Sequence, residues 1–439
     1  MAVYYVYSGA AGANNGSNWA NAFTTLTAAF VTEAAGDTLY VAHDHAETSA
    51  SLSLGSSGTS SNPTKVVCVN RAGSVPPVSA DRLTTAQVTT SANGAIQFNA
   101  GFTHYDGIIF IAGNSTGVAN ITPAGANSTW TRFDNCSLRI GSTGAGAINI
   151  GGAGSVFGTH TELNNTTLSF SATTQSVQVS GGAIRWRNTP SALLGAQVPA
   201  TLFTLGVARG GVVECIGVDL SAAGSGKTIV GALATANYTA SKFIDCKLNA
   251  SVTKSAVPLS SGSTEVDFIR SGASGVNYTV FCHRLSGTLD EETTIVRTGG
   301  ASDGTTPIAW KVVTTANCNY SMPFECPPIA IWNDTTGSAR TATVEGIAAT
   351  LPTDQEIWLE LEYLGDASSP QGSFVNDGKA DLLATAANQT SSSETWGGST
   401  TAFKLAVTFT AQQKGWLYAR VKCAKASSTL YIDPLITLT

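Results

Sequence analysis

Glu265, Asp267 and His283 are the residues whose types and spacing best suit catalysis. If the segment around them is a strand, the two carboxylates share a face, with Arg270 close by. Such a pair suits glycoside cleavage, where one carboxyl protonates the leaving oxygen and the other acts as nucleophile or base. The plainer reading is a set of solvated residues at turns and strand edges. His43-Asp44-His45 is the one paired-histidine motif, and alternation aims both imidazoles to the same side, with Glu47 as a third candidate ligand. A metal needs three or four converging ligands, so the triplet reads as the polar end of a strand, and no metal or other cofactor is expected. Gly224-Ser225-Gly226-Lys227-Thr228 has part of a phosphate-binding loop, but the required first glycine falls on Ser221 and no helical pattern follows.

Eight cysteines form no CxxC or Cys/His cluster, so they read as reduced thiols. Phe133-Asp134-Asn135-Cys136-Ser137-Leu138 and Phe243-Ile244-Asp245-Cys246-Lys247-Leu248 share an aromatic, a cysteine and a leucine at the same offsets, with Val213-Glu214-Cys215-Ile216 a looser relative. Cys136, Cys215 and Cys246 are therefore expected as small apolar members of an interior ladder. Phe133 and Cys136 can both point inward only if the chain bends between them. Among the tryptophans, Trp358, Trp416 and Trp310 lie in alternating strands and read as core. Trp396 lies in a polar run, Ser393 to Gly398, and is the candidate for stacking on a sugar.

The elements that must position these residues are short and β-rich. Only 12% of residues are charged and 43% are hydrophobic, against 45 glycines, so burial is well supplied and turns are many. A net charge of −6 and the absence of any run of Lys or Arg argue against nucleic acid. No apolar segment is long enough to span a membrane, and the first 16 residues have no signal-peptide pattern. Thr24 to Ala35 reads as a short amphipathic helix capping the end of a sheet, between strands at Val3 to Tyr7 and Thr38 to Ala42. From residue 38 to about 300, short apolar runs recur at steps near thirty, from Cys136 to Thr166 and from Cys215 to Cys246. One coil of a solenoid per step is the implied architecture. Near residue 300 the texture changes. Residues 1–300 hold three Trp, and residues 301–439 hold five among regularly alternating strands. The expected domains are therefore a parallel β-helix over 1–300, with a cap at 1–42, and an antiparallel, jelly-roll-like β-sandwich over 301–439.

Tyr4-Tyr5-Val6, Trp19-Ala20-Asn21-Ala22-Phe23 and Ala35-Gly36-Asp37-Thr38-Leu39-Tyr40-Val41-Ala42 resemble the opening of pectate-lyase-like right-handed β-helix proteins, a family that includes many phage tailspikes. The C-terminal run Trp358 to Gly365, with the ending Leu430-Tyr431-Ile432-Asp433-Pro434, resembles a sandwich domain of phage virion proteins. The resemblance implies a homo-oligomer, a trimer or another surface-mounted oligomer, on a bacteriophage virion, in contact with other virion proteins, and the chain is expected to be made without export. It carries over no active-site residues, because the clustered Asp and basic residues of the lyase members have no match here. The expected function is that of a non-enzymatic structural protein, a head or tail decoration or fibre-like component touching bacterial surface polysaccharide. The alternative is a tailspike depolymerase, a lyase or hydrolase. Tailspikes usually carry a particle-binding domain before the β-helix, so attachment is expected through another surface or the C-terminal domain.

Overall fold

The computed structural model describes the chain except for residues 124–128, 152–158, 196, 207–209, 232–238, 257–263, 274–279, 284–286, 293–296, 300–308, 322, 351–355, 366–381, 384–393, 397–400 and 411–413. For residues 264–265, 280–283, 290–292, 297–299, 362–365, 382–383, 394–396 and 401 the backbone alone is described. The chain divides into two units, Met1–Asn277 and Tyr278–Thr439.

The first unit is a right-handed parallel β-helix of three sheets. Every strand pair described in it is parallel, and each strand pairs with its counterpart one coil away. Successive inward residues of the first sheet form one continuous ladder: Leu39, Val66, Tyr105, Phe133, Leu163, Trp186, Cys215, Phe243 and Phe268. Tyr105 stacks on Phe133 at 5.3 Å and Phe243 on Phe268 at 4.5 Å, because in-register parallel strands place equivalent rings about 4.8 Å apart. Trp186 is fully buried and donates its indole N–H to the Thr166 carbonyl at 2.8 Å, so its one polar atom is satisfied.

The bend that Phe133 and Cys136 demand is a single left-handed residue at the end of each first-sheet strand from Phe102–Asp106 to Thr264–Ile269. Gly107, Asn135, Asn165, Asn188, Gly217, Asp245 and Arg270 stand at equivalent positions, with φ between 46° and 78°. Glycine and asparagine tolerate this conformation. The side chains also bond from coil to coil: Asn165 Nδ2 donates to Asn135 Oδ1 at 2.8 Å, and Asn135 Nδ2 to Asp106 Oδ1 at 2.9 Å. Arg270 is held by Asp245 at 2.7 Å.

Cys136, Cys215 and Cys246 are all buried, but they do not share one column. Cys136 and Cys246 directly follow the left-handed residue, whereas Cys215 pairs with Trp186 and Phe243 within the strand ladder. The step from Cys215 therefore ends at Phe243, not Cys246. Coil length is also less regular than the sequence suggests, running from 23 residues between Leu163 and Trp186 to 39 between Val66 and Tyr105.

The N-terminal cap is a helix, Leu26–Thr32, that buries Leu26, Ala29 and Phe30. Thr25 is its N-cap, accepting the Ala28 amide at 3.2 Å. Acids that look solvated in the sequence are buried acceptors here. Glu33 takes the Ser57 amide and the Thr64 hydroxyl, and Glu47 takes the Leu26 amide at 2.7 Å.

The second unit is an antiparallel sandwich. One sheet is built from Val280–His283, Gly287–Glu292, Ala309–Thr314, Thr429–Ile432, Ala339–Ala348, Thr401–Thr410 and Thr437–Leu438. The other contains Phe324–Glu325, Ile329–Asn333, Gly415–Cys423, Ile357–Gly365 and Leu382–Leu383. Their inner faces share a core that includes Val312, Val344, Leu405, Ile357, Leu359 and Leu417. The unit starts near residue 278 rather than 301. Val280–His283 and Gly287–Glu292 already pair antiparallel, and the second of these strands also pairs with Ala309–Thr314.

Trp358 is buried, but Trp416 is 46% exposed, contrary to its expected place in the core. Along Gly415–Cys423 the residues Leu417, Ala419, Val421 and Cys423 face inward, so strand alternation turns Trp416 outward.

Candidate functional site

The outward face of the first β-helix sheet carries the most chemistry among the described residues. Strand alternation that sends Tyr105, Phe133 and Leu163 inward sends their neighbours out in columns, one residue per coil. One column reads Phe102, Trp130, His160, Ala183, Val212. The next reads Lys65, His104, Arg132, Glu162, Arg185, Glu214, Lys242, Asp267. A third includes Asp106, Asp134, Asn164 and Arg187.

The first column is an aromatic shelf. Phe102 and Trp130 are half-buried, with ring centroids 6.3 Å apart, and His160 is exposed on the next coil. Beyond His160 the side chains shrink, and a recess of about 350 Å³ opens, lined by Thr159, His160, Gly181, Gly182, Ala183, Gly210, Gly211 and Val212. The glycines are required by close approach as well as openness. A Cβ on Gly182 would lie 2.3 Å from Thr159 Oγ1, and one on Gly211 2.8 Å from Val179.

The charged columns are largely self-neutralised. From Arg132 onward the signs alternate coil by coil, the arrangement that stabilises cross-strand neighbours. Asp134 binds His104 Nε2 at 2.6 Å and Arg132 at 2.9 Å. Burial alone would push its carboxyl up, but His104 and Arg132 outweigh that and hold it below the ordinary aspartate value. Asp106, on the adjacent coil, is paired with Arg82 at 3.1 Å. The face thus offers aromatic surface, a recess of sugar-ring dimensions and rows of hydrogen-bonding groups. It offers no general acid at Asp134, where catalysis would need a raised pKa.

The residues singled out from sequence are distributed differently. Asp267 is buried opposite Lys242, and Glu265 stands opposite Ala240, both in the strand Thr264–Ile269. His283 belongs to the second unit, in Val280–His283. The side chains of Glu265 and His283 lie outside the described residues. Arg270 turns to Asp245. Trp396 is in a strand, Glu394–Trp396, paired antiparallel with Arg297–Gly299, rather than in a loop; its side chain too lies outside the described residues.

His45 and Glu47 come together, at 3.1 Å, completely buried. His45 Nδ1 accepts the Ser8 amide at 2.9 Å, so its proton sits on Nε2 and is donated to Glu47. Their role is to fasten the cap helix. His43 lies beside Asp44, which is bound by Arg71 at 2.8 Å. Among the described residues no group of three or more His, Cys, Asp or Glu is placed to hold a metal ion. Lys227 donates to the Val198 carbonyl at 2.8 Å, within a turn leading into a strand.

No protein-family model matches the chain, and no curated protein matches it. Two bacteriophage tailspikes are similar to it in structure. One is the enzymatically active domain of tailspike protein 4 of bacteriophage CBA120, at 10% identity and a TM-score of 0.20, covering 94% of this chain and 65% of that one. The chain thus spans 65% of the length of that domain. The other is the tailspike protein of Acinetobacter phage vB_ApiP_P1, at 10% identity and a TM-score of 0.16, covering 92% and 82%. Superpositions this loose say nothing about function, and the β-helix is established by the strand pairing itself.

The aromatic and charged columns were hidden in the sequence because their members are 23 to 39 residues apart. The usable signal was the matching of Phe133 with Phe243. Reading outward from it by one residue gives Arg132 and Lys242, and by three gives Trp130 and Ala240.

Proposed function

We propose that this chain is a bacteriophage virion-surface protein that binds bacterial surface polysaccharide along the first sheet of its β-helix, without cleaving it. The observation that carries this reading is the shelf of Phe102, Trp130 and His160 running into the glycine-lined recess. Aromatic rings present an apolar face to the C–H face of a sugar, and the adjoining columns of Arg, Glu, Asp and Asn supply hydrogen bonds to hydroxyl groups. The N-terminal resemblance to pectate-lyase-like β-helix proteins supports the virion setting, and homotrimeric assembly with other virion proteins is part of the same proposal.

The test is binding of the full chain to purified capsular and lipopolysaccharide preparations from candidate hosts, with Trp130→Ala as the comparison. The variant is expected to lose at least about tenfold in affinity while melting with the parent. Unchanged binding by Trp130→Ala, or no binding to any preparation, defeats the reading.

A depolymerase is the second reading, and one observation favours it. Asp106 and Asp134 are register partners on adjacent coils, a pair of carboxylates whose backbones the strand spacing sets about 4.8 Å apart. Reducing-end release that disappears in both Asp106→Asn and Asp134→Asn would establish it. Release that persists in those variants but stops in a Glu265→Gln, Asp267→Asn double variant would move the chemistry to the last coil.

A further inference from the structure

We propose that the sandwich unit carries its own sugar-binding platform, formed by Trp332 and Trp416 on the outer face of its second sheet and suited to the face of a neutral pyranose ring. The two residues stand directly opposite one another on adjacent antiparallel strands. Their rings pack edge to face, with centroids 5.3 Å apart and planes at 72°. Cross-strand packing explains their contact with each other. It does not explain why two such large apolar side chains remain 41% and 46% exposed.

Size and charge select the occupant. At the exposed fractions of 41% and 46%, and with 150–250 Å² for a whole aromatic side chain, the pair offers roughly 200 Å² of surface. A stable protein interface needs about 800 Å² from each partner, so the platform is too small for a second copy or another protein and suits one or two sugar rings. Charged groups farther along the same face are engaged with each other. Lys422 bridges Glu325 at 2.9 Å and Glu360 at 2.8 Å, and Arg420 lies 3.6 Å from Glu325. The aromatic end thus presents apolar surface whose nearest sheet neighbours on the shared strands are Ala330 and Tyr418. A neutral ring bearing hydroxyls matches it better than a charged one.

This platform lies in a different unit from the β-helix shelf and does not depend on it. The experiment is saturation-transfer NMR on the full chain with four neutral probes: maltohexaose, isomaltohexaose, chitohexaose and mannohexaose. At least one is expected to receive saturation, with affinity weakened about tenfold in Trp416→Ala and largely restored in Trp416→Phe. Saturation that survives in Trp416→Ala and falls in Trp130→Ala belongs to the β-helix shelf, and that comparison separates the two sites. If Trp416→Ala fails to fold, Trp332→Ala is read in its place. Saturation of no probe, binding unaffected in both tryptophan variants, or dissociation of an oligomer by Trp416→Ala would each overturn the proposal, the last by identifying a second copy as the occupant.

Discussion

Replacing Glu47 by alanine should loosen the entire N-terminal cap, although the residue touches no candidate ligand site. Its carboxylate accepts the Leu26 amide at 2.7 Å and the His45 Nε2 proton at 3.1 Å, and both donor residues are buried. Leaving a buried donor unpaired costs about 1–3 kcal/mol, and there are two. The loss of a negative charge at a helix N-terminus adds about 0.3–1 kcal/mol. The expected destabilisation is therefore about 2–7 kcal/mol. For a unit of this size that lowers the melting temperature by on the order of 10 °C. The discriminating assay is hydrogen exchange followed by peptide mass spectrometry. Peptides covering residues 3–7, 24–33 and 43–49 should exchange faster, while those from the coil containing Phe133 stay protected. Glu47→Gln keeps one acceptor and should fall between the alanine variant and the parent. A melting change below about 2 °C for Glu47→Ala, with exchange in the cap unchanged, would refute the view that this buried carboxylate fastens the helix.

Asn165→Ala should cost about 1–2 kcal/mol in urea unfolding, because alanine resists the left-handed conformation; Asn165→Gly should cost less, and equal losses would contradict the conformational explanation. Phe133→Ala removes a buried ring stacked on Tyr105 and should cost about 3–5 kcal/mol by the same measurement. Stability should be pH-dependent at the acid end. Asp134 and Asp219 titrate below their ordinary value in the folded state, so their contribution is complete above the unfolded aspartate pKa of about 3.9 and is lost as pH falls through the folded values. Asp134→Asn should flatten that acid limb of the melting profile, and an unaltered limb would count against the His104–Asp134–Arg132 cluster. Burial pushes the Cys246 thiol up to about 11, so a disulfide-exchange reagent at pH 8 should not label it until the chain is unfolded; rapid labelling of native protein at Cys246 would show the coil to be open there.

Much of the architecture was legible because burial in a solenoid leaves a local signature. Alternating strands, an amphipathic cap helix and the matched Phe133 and Phe243 segments all point to stacked coils, and the need for a bend before Cys136 was deducible from the parity of strand positions. Register across coils was not legible. Cys215 resembles Cys246 in chemistry, yet it pairs with Phe243, because coils differ in length and only hydrogen-bonded pairing fixes the alignment. The unit boundary was misplaced because tryptophan content and strand regularity change near residue 300, whereas antiparallel pairing already begins at Val280–His283. Trp416 shows the limit of reading bulk as burial, since alternation with Leu417 and Ala419 outweighs the hydrophobicity of the ring. The His43-Asp44-His45 motif divided its members between a surface ion pair and a buried cap, a distinction decided by Ser8, a residue far away in sequence.

The contrast between the corners of the β-helix bears on how such a chain can change. The left-handed corner after the first sheet has little freedom from Asp106 onward, where one residue per coil makes the turn and bonds to its neighbour. The corner before the first sheet is permissive: eight residues separate Ile150 from Thr159, while two separate Val179 from Gly182. That permissive corner delivers the chain directly to His160, Ala183 and Val212. Differences in length there leave the ladder of Phe133, Leu163 and Trp186 in register, so the approach to this face can vary on a scaffold that stays fixed.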